Sequence, residues 1–169
     1  ISLFNDHKGE KLFYATAPYL TGWGSRYAAK AAVGAMGAEF PKSRETCYLL
    51  SDTYQGNLAS DRTLMQKYGE HPGERLEIYV PEDEPAYYRI DEASGVWYGT
   101  LYDSSSLDSE DPFNVFFGGD RPLTEIYSAA INGETLLVIG DRTANSIVPL
   151  FVSSFEKIIL VHPSESTRS

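Results

Sequence analysis

Leu136-Leu137-Val138-Ile139 is a run of four apolar residues. Four branched side chains in succession predict a buried strand. Gly140-Asp141 breaks the run, Thr143 is placed to cap a helix, and Ala144–Phe155 carries apolar residues at helical spacing. Lys157–His162 is a second buried strand, so the segment predicts a βαβ unit. In such a unit the turn at the carboxyl end of the first strand is where ligands and nucleophiles tend to lie. A site, if the chain has one, is expected at the Gly140–Thr143 turn.

The other elements run from the N-terminus onward. Lys11–Ala15 predicts a short strand, and Thr16–Gly24 a loop. Ser25 opens an alanine-rich helix over Arg26–Met36, with Gly37 as its C-cap and Pro41 blocking continuation. Glu45–Leu50 predicts a strand. Ser51–Gly73 reads as an irregular excursion with a helical turn near Asp61–Tyr68. Arg75–Val80 alternates as a half-buried strand. Pro81 and Pro85 bracket an acidic turn, and Tyr87–Ile90 with Val96–Tyr102 predicts a hairpin around Asp91–Gly95. A polar acidic loop then runs to Pro112, and Asn114–Phe117 is apolar. Glu125–Ile131 and Glu134–Ile139 flank Asn132-Gly133, a two-residue hairpin signal. The Ser/Thr-rich tail after Pro163 is expected to fray.

Composition narrows the class. The 169 residues suit one domain, with no repeat and no composition break. A chain of this size buries roughly 70% of its unfolded surface. Twelve Tyr and eight Phe favour sheet with aromatic faces. The net charge of −10 disfavours nucleic acid and anionic membranes as partners. No apolar run is long enough to span a bilayer. The start at Ile1 reads as a processed or excised segment. Cys47, the single cysteine, excludes an internal disulfide and is expected in the core.

Four ordered segments then resemble one family. They are Phe13–Thr16 with Thr21–Ala28, Ser51–Leu58, Phe116–Leu123, and Gly140–Pro149. The chain resembles the C-terminal half of the SGNH-hydrolase-like family named for an Asp-His-His-Trp tetrapeptide, related to alginate O-acetyltransferase-type proteins. The resemblance implies an α/β fold of the SGNH type, flavodoxin-like and three-layered. It would have a mostly parallel sheet and a β-rich insertion over about residues 51–112. It also implies an extracellular or cell-surface location. Missing N-terminal strands would leave a sheet edge open, which predicts a rearranged edge or a homodimer across it.

The family's chemistry does not carry over to this sequence. The tetrapeptide falls on Ala17-Pro18-Tyr19-Leu20, the nucleophilic Ser on Arg142, and a Gly-Gly-Asn-His on Gly118-Gly119-Asp120-Arg121. Acyl transfer needs a hydroxyl activated by an imidazole and donors for the oxyanion. The expected role is therefore a pseudoenzyme or redesigned scaffold that binds an acylated or anionic glycan. The binding candidates are Asp141, Arg142, Thr143, Asn145, Gly118, Gly119, Asp120, Arg121 and Tyr19. Arg142 and Arg121 could hold a carboxylate or sulfate; the blander reading pairs Arg142 with Asp141 or Asp120. Ser146 and His162 are the weak catalytic candidates for an alternative, active esterase or O-acetyltransferase. Ser146 is more simply a helix serine bonding back to a carbonyl. A third reading is an inert scaffold. Tyr19, Trp23, Trp97 and Tyr98 could stack on sugars, although such aromatics are more often packing. The acidic loop of Asp103, Asp108, Glu110 and Asp111 lacks calcium-loop spacing, so no metal site and no cofactor is expected.

Overall fold

The computed structural model describes residues 2–40, 42, 44–82, 88–91 and 95–163. Its helices are α1 (Ser2–Asn5), α2 (Gly22–Ala35), α3 (Arg62–Tyr68) and α4 (Ala144–Ile147). Its strands are β1 (Glu45–Tyr54), β2 (Glu74–Pro81), β3 (Tyr88–Asp91), β4 (Val96–Tyr98), β5 (Leu123–Tyr127), β6 (Thr135–Ile139) and β7 (Lys157–Val161). Pro41, Pro85, Tyr87, most of the Asp91–Gly95 turn and the tail 164–169 lie outside the described residues.

The sequence expectation of a mostly parallel, three-layer sheet is overturned. β1 and β2 form an antiparallel pair of their own, and a five-stranded sheet runs β4-β3-β5-β7-β6. Within it only β6 and β7 are parallel. A parallel neighbour needs a crossover long enough to return the chain, usually a helix. The only such crossover among the described strands is the one containing α4, so the predicted βαβ unit forms and the remaining strands pair antiparallel. β3 and β4 also extend the main sheet, so residues 51–112 are not a separate β-rich insertion.

The Asn132-Gly133 hairpin does not form, because β7 lies between β5 and β6. The 128–134 loop is stitched to the entry of β7 instead of closing on itself. Ser128 N donates to Glu156 O, Asn132 Nδ2 to Ser154 O, and Gly133 N to Glu156 Oε2. Lys11–Ala15 contributes an isolated bridge between Phe13 and Leu20 rather than a strand. The predicted helix over 144–155 shortens to α4 and a 3₁₀ turn at Val148–Phe151. Pro149 cannot donate the hydrogen bond that a continuing α-helix requires. Cys47 is exposed on β1, not in the core.

α2 begins four residues earlier than expected because Thr21 caps it, accepting from Gly24 N. Ser25, Ala29 and Val33 repeat every fourth residue and are buried. The core joins this face to the 3₁₀ turn and to the inner face of the sheet, where Ile126, Ile158 and Leu160 are buried. On the opposite face Leu137 and Ile139 of the edge strand β6 remain 56% and 66% exposed. No described helix is long and apolar enough to cross a membrane.

Burial raises the phenol pKa values of Tyr14, Tyr54 and Tyr79 well above the ordinary tyrosine value. A raised native pKa favours the neutral form, so this stability is fully present below the unfolded value of about 10 and is lost as pH rises above it. Urea midpoints should therefore hold from about pH 8 to 9 and fall from about pH 10 upward; constancy through that range would contradict the account. Tyr54 Oη is buried without a hydrogen-bond partner. Tyr54→Phe should consequently be neutral or stabilising, within about 0.5 kcal/mol or better than the native chain by thermal melting.

Candidate functional site

The Gly140–Thr143 turn closes against two other loops. Gly140 N donates to Val161 O, and Asp141 Oδ1 accepts from Thr143 N. A Cβ at Gly140 would come within 2.9 Å of the Ala144 Cβ, so the turn needs a glycine there. The facing loop has three consecutive left-handed residues, Phe117, Gly118 and Gly119. A Cβ on Gly119 would stand 3.0 Å from Asn114 Oδ1. The two glycines allow this loop to coil tightly and present Asp120 to the turn.

Arg142 is the centre of the assembly. Its guanidinium donates to Asp111 Oδ2 at 2.7 Å, Asn114 Oδ1 at 2.6 Å and Asp120 Oδ2 at 3.2 Å. It also lies 5.8 Å from the Tyr19 ring centre and 5.7 Å from that of Phe113. Tyr19 and Phe113 stack at 4.4 Å. Both flat groups thus hold the guanidinium while two carboxylates neutralise it.

A second chain of bonds leads inward. Asn145 Nδ2 donates to Asp120 Oδ1 at 2.7 Å, and Asn145 Oδ1 lies 2.9 Å from His162 Nε2. The carboxylate fixes which end of the amide faces it, so the amide oxygen meets the imidazole and Nε2 carries the proton that is donated. His162 and Asn145 are both buried. Ser146 is elsewhere engaged: its hydroxyl donates to Thr143 O and accepts from Ser25 Oγ at 2.8 Å.

The candidate residues are therefore brought together, but with particular uses. Tyr19, Asp120, Arg142 and Asn145 form one network with His162 at its inner end. Asp141 caps the turn, Thr143 supplies a carbonyl, and Gly118 and Gly119 shape the loop that leads through Arg121. Ser146 meets Ser25 rather than His162. Asp111, Asn114 and Phe113 were not among the candidates, because they lie some thirty residues from Arg142 in sequence. The acidic loop supplied a weak signal for Asp111 alone. The described residues contain no cluster of three or more His, Cys, Asp or Glu suited to a metal ion.

This fold is shared with solved structures of bacterial proteins. A DHHW family protein from Eubacterium siraeum DSM 15702 superposes with a TM-score of 0.74 at 19% identity, covering 95% of this chain and 54% of that one. Bacillus cereus PatB1 with a sulfonyl adduct superposes with a TM-score of 0.65 at 18% identity, covering 95% and 54%. A further PatB1 structure gives 0.58 at 18% identity, covering 95% and 56%. The chain spans about half the length of these structures. No curated protein matches it. The family model for DHHW proteins matches residues 1–161, and the chain belongs to the DHHW family.

Removing the Arg142 cation leaves Asp111 and Asp120 facing each other across a partly buried gap. Arg142→Met should cost about 2–4 kcal/mol in urea denaturation. Arg142→Lys should recover less than half of that, since an ammonium cannot fork between three acceptors. A loss below about 0.5 kcal/mol for Arg142→Met would show that the clamp is not structural.

Proposed function

We propose that this chain is a catalytically inactive DHHW domain, SGNH-like in its turn, that binds a glycan. The observation that carries the first half is the Arg142 clamp. An acyl-transfer site needs a free nucleophile beside a base. At this turn a guanidinium fills the place, bound by three side chains. The Ser146 proton is given to the Thr143 carbonyl, and Nε2 of His162 is given to Asn145. A carboxylate, Asp120, stands where an oxyanion would need donors. A sulfonyl adduct, of the kind carried by one PatB1 structure, requires a nucleophile to form on; the turn here offers none. The same arrangement speaks against the active reading through Ser146 and His162.

The glycan half is supported by a cleft beside the clamp, of about 650 Å³, with Gln55, Asn57, Ser60, Arg62 and Glu110 on its walls and Asp111 at its border with Arg142. Amides, a hydroxyl and carboxylates suit the hydroxyls of a sugar. With Glu110 sharing the lining with Arg62 and Asp111 paired with Arg142, it is the net charge of −10 that favours a neutral or aminated sugar over an anionic one. The two terminal nitrogens of Arg142 are engaged by Asp111, Asn114 and Asp120, while its Nε is buried without a partner, so its own Asp partners take the place of the carboxylate or sulfate ligand expected there. The glycan ligand brings with it an extracellular or cell-surface location. A homodimer through β6 belongs to the same proposal, supported by exposed Leu137 and Ile139 at the sheet edge.

A fluorophosphonate probe should label no serine, and an activated acetyl ester should not turn over above background. Labelling of Ser146, abolished in Ser146→Ala, would overturn the inactive reading. Neutral or aminated oligosaccharides should raise the melting temperature, since a ligand that binds only the native state stabilises it; uronic-acid oligomers should not. No shift with any of these sugars would refute the glycan half. Sedimentation should show dimer at micromolar concentration and monomer for Leu137→Asp; a monomeric native chain would refute the dimer.

A further inference from the structure

The short unit of the 3₁₀ turn Asn57–Ser60 and α3 carries apolar residues without a core to serve. Leu64, Met65 and Tyr68 share one side of α3 by their spacing, yet none of its residues is fully buried. Tyr68 is 72% exposed. A seven-residue helix is marginal by itself in water, so packing normally holds such a helix in place. Here local bonds do so. Asp61 Oδ1 accepts from Thr63 N and Leu64 N, Leu58 N donates to Thr16 O at 2.8 Å, and Gln55 Nε2 donates to His71 O at 2.7 Å. The unit is anchored by these bonds while Leu64, Met65 and Tyr68 line a pocket.

That pocket holds about 270 Å³ and is lined by Leu58, Leu64, Met65 and Tyr68, with Thr16, Glu70 and His71 at its polar margin. The sugar-suited cleft lies on the other side of the same unit. Ala59 and Met65 line both cavities. One thin wall therefore separates a polar cleft from an apolar pocket. A single ligand crossing it would need a polar head and a hydrocarbon part. A water occupies roughly 30 Å³ of liquid, so the pocket is too roomy for an acetyl methyl and fits a chain of several carbons.

We propose that the two cavities form one bipartite site for a sugar bearing a hydrocarbon chain of several carbons. The sugar lies in the cleft against Asn57 and Glu110, and the chain lies in the pocket against Leu64 and Tyr68. The sugar half rests on the glycan reading above; the chain half rests on the pocket.

The test is isothermal titration of the intact chain with methyl, butyl, hexyl and octyl β-D-glucopyranoside, each below its micelle concentration. Each buried methylene should tighten binding by about fourfold until the pocket is filled. Tyr68→Ser, at an exposed position, should flatten this dependence, with an unchanged melting temperature showing that the fold is kept. Asn57→Ala should weaken the whole series by a similar factor. Equal affinity along the series would overturn the chain half while the glycan reading stands. Binding of hexanol as tight as that of hexyl glucoside would overturn the sugar half at this site. No binding of octyl glucoside would overturn the proposal outright, and the oligosaccharide melting experiment then judges the glycan reading separately.

Discussion

One buried carboxylate ties together the segments on which the site depends. Glu74 accepts from Ala15 N, Thr16 N and Thr16 Oγ1, at 2.9, 3.0 and 2.8 Å. Thr16 in turn accepts from Gly56 N through its hydroxyl oxygen and from Leu58 N through its carbonyl. Three stretches distant in sequence thus meet at one side chain. The approach is close enough that a Cβ on Gly56 would fall 2.4 Å from the Ala17 Cβ. Glycine is required at 56 for that reason, whatever its dihedral freedom. Closing loops of this length costs entropy that only a satisfied buried cluster offsets. The loop so fixed presents Tyr19 to Arg142 on one side, and the same knot anchors the Asn57–Tyr68 unit on the other.

The Arg142 clamp joins three loops through one guanidinium. Its carboxylates are partners that a lone guanidinium would otherwise lack inside the protein. Asp120 serves twice, taking Arg142 on one oxygen and Asn145 on the other. Asn145 then orients His162. Each polar group has its geometry set by the next, from an exposed rim to a buried imidazole. Such a network favours a single arrangement, since half-satisfying it would leave buried polar atoms unpaired.

Parts of this were legible in the sequence. The runs Leu136–Ile139 and Lys157–Val161 marked β6 and β7 as strands, although the buried strand expected at Leu136–Ile139 is an edge strand with Leu137 and Ile139 exposed on one face. The break at Gly140-Asp141 marked the turn, and the ordered segments of the resemblance indicated that Tyr19, Asp120 and Arg142 meet. The sheet's direction was not legible. Asn132-Gly133 reports that the chain reverses, but not which strand receives it; Ser154 and Glu156 decide that from more than twenty residues away. The partners Asp111 and Asn114 were hidden likewise, since an acidic loop reads the same whether solvated or clamped to an arginine. Cys47 misled because apolar neighbours in sequence do not make a core when their strand has only one partner.

Asp111 is the point where the clamp and the cleft share an atom group. One of its oxygens holds Arg142 and the other caps the turn at Phe113 N. It nevertheless borders the polar cleft. A cationic ligand drawn fully onto this carboxylate would compete with Arg142, and the clamp would resist by the cost of exposing Asp120. A sugar hydroxyl carries no such conflict, because it can donate to a carboxylate that keeps its ion pair. Glu110, beside it and outside the clamp, is free of that constraint and shares the cleft with the cation of Arg62. The clamp therefore does more than fill the turn: by committing Asp111 to Arg142 it leaves Glu110 as the carboxylate of the cleft that lies outside the ion pair.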